Sequence, residues 1–215
     1  IDETAKTFQI QSNFVWRYKH GGKRKKQKKS KTEVIPLGKQ KNARKLTRKI
    51  ICVKPVVFTR PGQLGDYGFM LSTDAYRDDG IMIFNDDVSQ FLSKDTTAGG
   101  GNAIARPQRQ YGHALGIATG HMGGFKSLSD SVYWYNQTYS AKDIIDMGFD
   151  ELTELSLNNP QKRYLYYSAD ESGRLGSSIF HVDDSVLDYI TNKIKSFPNS
   201  LYERCQKDRQ TQDLS

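Results

Sequence analysis

The sequence predicts an α/β fold, with a mostly parallel or mixed sheet flanked by helices in three layers and preceded by an extended basic N-terminal arm. Short apolar runs of strand length, such as Ile81-Met82-Ile83-Phe84, fit strands buried on both faces. These runs alternate with capped, amphipathic helical patterns in the order strand, loop, helix, as crossover connections require. The arm is read from charge. Residues 1–60 hold 18 Lys/Arg against 3 Asp/Glu, a charge of +15, while residues 61–215 hold 14 basic and 21 acidic residues, a charge of −7, so that the formal +8 hides two unlike parts.

The 215 residues, 36% apolar and 26% charged, suffice for one sizeable core and exclude a disordered chain or a fibre. No apolar run approaches the roughly 20 residues of a membrane span, and Ile1-Asp2-Glu3-Thr4 lacks a signal-peptide pattern, so a soluble chain without membrane partners is expected. A first residue other than Met leaves a processed start and an omitted one both open. Cys52 and Cys205 show neither CxxC nor Cys/His spacing, so no metal site is indicated and a reducing compartment, cytoplasm or nucleus, is expected.

In chain order, Phe8, Ile10 and Phe14-Val15-Trp16 read as an extended aromatic segment. The arm, residues 1–49, carries its charge in two clusters: Lys23, Arg24, Lys25, Lys26, Lys28 and Lys29, then Lys41, Arg44, Lys45, Arg48 and Lys49. Like charges without an apolar face predict an extended or disordered segment that contacts nucleic-acid phosphates without reading sequence. The domain, residues 50–197, opens with Ile50–Val53 and Val56–Phe58 as the first buried strand. Pro61-Gly62 and Gly65-Asp66 are turns. Ile81–Phe84 is the second strand, ended by Asn85-Asp86-Asp87, which cap a short helix over 88–92.

Residues 99–124 carry 8 of the 18 glycines, so backbone there turns tightly or approaches something closely; Ala114–Ala118 is a short strand inside it. Leu128, Val132, Tyr135 and Tyr139 recur at helical spacing and predict a helix over 129–146, with the cluster Tyr133-Trp134-Tyr135 packed into the core. Arg163–Ser168 is a strand. Asp183-Asp184 cap a final helix burying Val186, Leu187, Ile190, Ile194 and Phe197, with Lys193 and Lys195 in its last turns; residues 198–215 form a polar tail.

Open α/β sheets bind ligands at the carboxyl ends of their strands. Two loops there can cradle phosphate: Ala98–Ala103, with three successive glycines, and Gly173–Phe180. Neither is a Walker A or GxGxxG sequence. Arg106 and Arg109 are candidate phosphate ligands. Asp86-Asp87 and Asp183-Asp184 read as helix caps rather than cation ligands, and no nucleophile-elbow sequence supports a Ser/His/Asp triad drawn from Ser168 or Ser178, His181 and Asp170.

Ile83-Phe84-Asn85-Asp86, then Gly99-Gly100-Gly101-Asn102-Ala103, then Gly176-Ser177-Ser178-Ile179-Phe180, in this order and context, resemble the macrodomain family of ADP-ribose-binding modules over residues 61–197. The resemblance implies a three-layer fold and a site for ADP-ribose or a similar nucleotide formed by Asp66, Asn85, Gly99, Gly100, Gly101, Asn102, Ala103, Gly176, Ser177, Ser178, Ile179 and Phe180. Asp66 follows Gly65 as the carboxylate that recognises the adenine amino group in that family. The chain departs from the pattern in three ways. Asn85 is followed by Asp86 rather than a second Asn, the spacing to Gly99 is long, and Asn102–Arg106 lacks the carboxylate of hydrolytic members. Binding is therefore the expectation, with catalysis left open and no cofactor implied. The other reading from a different class is a structural component of a nucleic-acid-containing assembly, a virion or ribonucleoprotein particle, into which the arm threads.

Overall fold

Residues 51–121, 123–176 and 181–213 are described by a computed structural model. The elements in order are β1 (Cys52–Val56), α1 (Tyr67–Ser72), α2 (Asp74–Asp79), β2 (Gly80–Asp86), α3 (Val88–Leu92), a 3-10 helix (Gly101–Tyr111), β3 (Ala114–Ala118), β4 (Ser131–Trp134), β5 (Gln137–Ser140), α4 (Ala141–Asn158), β6 (Tyr164–Ser168) and α5 (Asp184–Asp213). Every pairing in the main sheet, ordered β1-β6-β2-β3, is parallel. The basic arm, residues 1–49, lies outside the described residues.

The apolar run of β2 is buried on both faces because its side chains alternate between two cores. Ile81 and Ile83 join Leu115, Ile117, Leu165 and Tyr167 under α3, α4 and α5. Met82 and Phe84 point the other way, joining Ala114, Tyr166 and Val56 under Tyr67 and Met70 of α1 and Ala105 of the 3-10 helix. Helices therefore cover both sides of the sheet, as the predicted three-layer α/β class requires, and each large side chain so buried contributes about 1.5–3 kcal/mol. At the edge of the sheet, Cys52 N–H donates to Arg163 O and Ala169 N–H to Val56 O, so the even-numbered residues of β1 face β6. The missing N–H of Pro55 therefore falls on the side of β1 that has no neighbouring strand among the described residues.

The helix expected over 129–146 is instead a hairpin followed by a helix. Ser131–Trp134 pairs antiparallel with Gln137–Ser140 across a two-residue turn in which Tyr135 (φ 44°) and Asn136 (φ 64°) are both left-handed. The period is two, not 3.6: Val132 and Tyr139 pack against the core, whereas Tyr133 and Tyr135 are 70% and 85% exposed, so the aromatic cluster is not core. α4 begins only after Ser140, whose hydroxyl accepts from Asp143 N–H while the Asp143 carboxylate accepts from Ser140 N–H. At Gly148 a Cβ would lie 2.9 Å from Ile117 Cδ1, which lets α4 settle closely on β3.

α5 is capped as expected, with Asp183 accepting from Ser185 N–H, and it buries the predicted residues. It does not stop at Phe197. The helix continues through Pro198 to Asp213, and Leu201 remains in the core, so the segment from 198 begins as helix rather than as a separate tail. Lys193 accordingly sits within the helix, where it bonds Asp146 of α4. Among the described residues no helix is long and apolar enough to cross a membrane.

Candidate functional site

β1 and β6 are neighbours, yet the chain leaving β1 turns to α1 on one face of the sheet and the chain leaving β6 turns to α5 on the other. Such a divergence opens a crevice at the carboxyl ends of the strands. A cleft of about 810 Å³ lies there, lined by Val57, Phe58 and Pro61 after β1, Asp66 before α1, Gly101, Asn102 and Ile104 at the start of the 3-10 helix, and Ser168 at the end of β6 with Ala169–Glu171 and Arg174–Gly176 beyond it. Four residues predicted to bind ligand, Asp66, Gly101, Asn102 and Gly176, are thus brought to one cavity.

Asp66 is held rigidly. Its carboxylate accepts from Gly62 N–H at 2.9 Å and from Gly68 and Phe69 N–H at 2.9 and 3.4 Å, capping α1. These bonds, that from Gly62 foremost, keep the carboxyl below its ordinary pKa and so charged. Within the glycine loop the three glycines have different reasons to be glycine. Gly101 is left-handed (φ 56°), Gly99 has Ala103 Cβ 2.8 Å from where its own Cβ would fall, and a Cβ on Gly100 would meet nothing. Gly99 N–H donates to Ala103 O and Ala103 N–H to Gly100 O, which closes the loop onto itself.

Asn85 does not line the cleft directly. Its Nδ2 donates to Gly176 O at 2.6 Å, so it ties the end of β2 to the loop after β6, while its buried Oδ1 has no partner among the described residues. Ser177–Phe180, the rest of the second predicted loop, lie outside the described residues.

No family model, curated protein or solved structure matches the chain.

The two arginines expected to bind phosphate are committed elsewhere. Arg106 is buried on Asp86, and Arg109 grips Glu151 through Nε and Nη2 at 2.6–2.9 Å. Asp87 caps α3 through Ser89 N–H, and Asp170 organises its own turn by accepting from Ser172 and Arg174 N–H, which absorbs both acids structurally. Among the described residues no group of His, Cys, Asp and Glu is placed to hold a metal. The stretch after β3 is a tight crossover: Phe125 N–H returns to Thr119 O, and Gly120 (φ 114°) leaves no room for a Cβ against the backbone of Phe125.

Sequence reasoning missed the apolar rim. Val57, Phe58 and Ile104 are 37%, 52% and 47% exposed, and all three line the cleft. Val56-Val57-Phe58 reads as one buried strand, but β1 ends at Val56 and leaves the last two at the mouth. Arg174, also in the wall, is shared among Asp184 at 2.9 Å, Asp188 at 3.7 Å and Asp170 at 3.8 Å, so its charge is already balanced. The described wall therefore offers apolar surface, the carboxylates Asp66 and Glu171, and loop backbone.

Proposed function

We propose that the cleft binds a nucleotide-type ligand of the ADP-ribose kind. The observation that carries this reading is the convergence of sequence-distant loops on one cavity at the divergence of β1 and β6, beneath an exposed apolar rim. The volume is of the order usual for small-molecule sites, several hundred Å³. Phe58 and Ile104 suit a flat apolar moiety, the fixed Asp66 carboxylate suits an exocyclic amino donor, and the backbone at Gly101 and Asn102 suits phosphate oxygens. The resemblance to macrodomains points the same way. Binding rather than hydrolysis is proposed because Asn102–Arg106 supplies no carboxylate.

Thermal denaturation of the full chain with ADP-ribose, ADP or NAD tests this. A ligand present at about 100 times its Kd stabilises by about 2.7 kcal/mol and raises the melting temperature. ADP-ribose is expected to raise it more than inorganic phosphate does, and no shift from any of the three nucleotides at millimolar concentration sinks the reading.

The charge division favours a second activity in the same chain, contact of residues 1–49 with nucleic acid, either free or as part of a larger nucleoprotein assembly. Fluorescence anisotropy with a mixed-sequence oligonucleotide is expected to show affinity falling by about 10³-fold or more between 50 and 200 mM salt if six or more phosphates are contacted. Deleting residues 1–49 is expected to abolish it. Binding that survives the deletion places the contact on the acidic domain instead.

A further inference from the structure

We propose that Arg106 and Asp86 are positioning residues, a buried ion pair that fixes the Gly99–Asn102 loop against the end of β2; the consequence for ligand binding rests on the nucleotide reading above. Arg106 is 2% exposed and Asp86 1%. Arg106 donates to Asp86 Oδ1 through Nε at 3.0 Å and Nη2 at 2.6 Å, and through Nη1 to Thr97 O at 2.8 Å. The same Oδ1 accepts from Asp87 N–H at 3.0 Å. Taking two charges out of water is costly, and an apolar pair would commonly hold a core at least as well, so the pair's position is more informative than its strength.

That position is specific to the loop. Thr97 lies just before the glycines and Arg106 just after them, so one guanidinium pins both sides of the segment to a strand whose Ile81–Phe84 are fully buried. Two glycines make room for the pair. A Cβ at Gly99 would lie 3.1 Å from both Nη1 and Nη2 of Arg106, and one at Gly116 would lie 2.3 Å from Asp86 Oδ2. Loop, guanidinium, carboxylate and neighbouring strand are therefore stacked in order. Gly101 and Asn102, the part left over, form the cleft wall. The bond from Asn85 to Gly176 O does the equivalent for the opposite wall, so adjacent residues at the end of β2 govern both sides.

The test is Arg106→Lys in the full chain, which keeps the charge but cannot reach Asp86 and Thr97 O together. Amide hydrogen exchange is expected to show Gly99 and Ala103 losing protection by about tenfold or more, the equivalent of one charged hydrogen bond, while the amides of β2 and β3 stay protected. ADP-ribose affinity, measured by titration, is expected to fall by a similar factor. Arg106→Gln, which can also reach one acceptor but leaves the Asp86 carboxylate without a counter-charge, is expected to lose at least as much protection as Arg106→Lys. If Gly99 and Ala103 exchange in Arg106→Lys as they do in the wild type, or if the sheet amides open with them, the positioning role is overturned. If the loop loosens but affinity holds, its consequence for the ligand is overturned. If the wild type binds no nucleotide, the nucleotide reading fails while the exchange data still decide the positioning claim.

Discussion

Arg106→Met is expected to lose about 3–5 kcal/mol of folding stability in chemical denaturation at neutral pH, the cost of leaving one member of a buried ion pair without its partner. Against a total of roughly 5–15 kcal/mol for a domain, this is a large fraction. The carboxylate left behind cannot reach water, since the Asp86 side chain is fully buried, and its Oδ2 already has no partner among the described residues. In the native chain burial pushes the Asp86 carboxyl above its ordinary value, and the Arg106 bonds pull it back only in part. An acid whose pKa is higher folded than unfolded opposes folding once the pH exceeds the unfolded value, and the opposition fades as the pH falls back through the folded value. Removing Arg106 takes away the opposing pull and raises the folded value further. The variant is therefore expected to regain stability on acidification from neutral pH toward the carboxylate range, with a steeper gain than the wild type shows. Asp86→Ala/Arg106→Met is expected to be more stable than Arg106→Met alone, because no charge is stranded. A single variant as stable as the wild type, or a loss that does not depend on pH, would show that Asp86 is hydrated and that the pair is not buried in solution.

What could be read in the sequence, and what could not, follows from the range of the interactions involved. Ile81–Phe84 declares a strand buried on both faces because four successive apolar side chains can be satisfied locally only that way, and Asp87 and Asp183 declare helix starts because capping is a contact between near neighbours. The hairpin at Ser131–Ser140 was hidden because Leu128, Val132, Tyr135 and Tyr139 fit a helical stripe equally well. The deciding feature is the left-handed Tyr135-Asn136 turn, for which only Asn gives a local signal. Pro198 suggests a boundary by its chemistry, yet α5 carries through it because Leu201 still reaches the core.

The same distinction governs the cleft. The glycine loop and Gly176 stand out by residue type, and their expected meeting at strand ends follows from the parallel sheet, whereas Asp66 is singled out only by the macrodomain resemblance. The roles of Arg106 and Arg109 could not be read, since an arginine beside three glycines has the same local appearance whether it faces a ligand or turns inward to an acid. Asp86 lies 20 residues before Arg106 in the chain, and Glu151 lies 42 after Arg109. Phe58 was misplaced for a related reason: a run of apolar residues marks a strand but not the residue at which its pairing partner ends.

Gly65→Ala is the change expected to damage fold and cleft together. Gly65 has φ 99°, a conformation that side chains rarely adopt, and its Cβ would fall 2.3 Å from Val57 O, 2.6 Å from Val57 C and 2.8 Å from Phe58 N. All three are backbone atoms, so no side chain can rotate out of the way. Strain at the left-handed residue and overpacking against backbone each cost about 1–3 kcal/mol, so a loss of about 3 kcal/mol or more is expected. Relief can come only from moving Val57 and Phe58 or Gly65 and Asp66, and the side chains of Val57, Phe58 and Asp66 all line the cleft. Gly62→Ala supplies the comparison, since Gly62 is also left-handed (φ 75°) and heads the same turn, but its Cβ would meet nothing within 4 Å. It is expected to cost only about 1–2 kcal/mol, the penalty for the backbone alone. Urea denaturation measures the difference between the two variants, and ADP-ribose thermal shifts, taken where both are folded, measure its effect on the cleft. Gly62→Ala should keep the ligand-induced shift and Gly65→Ala should lose it. Equal stability of the two would mean that the contact between Gly65 and Val57 is not as tight as described, and an undiminished shift in a destabilised Gly65→Ala would place the ligand away from the Val57–Phe58 wall.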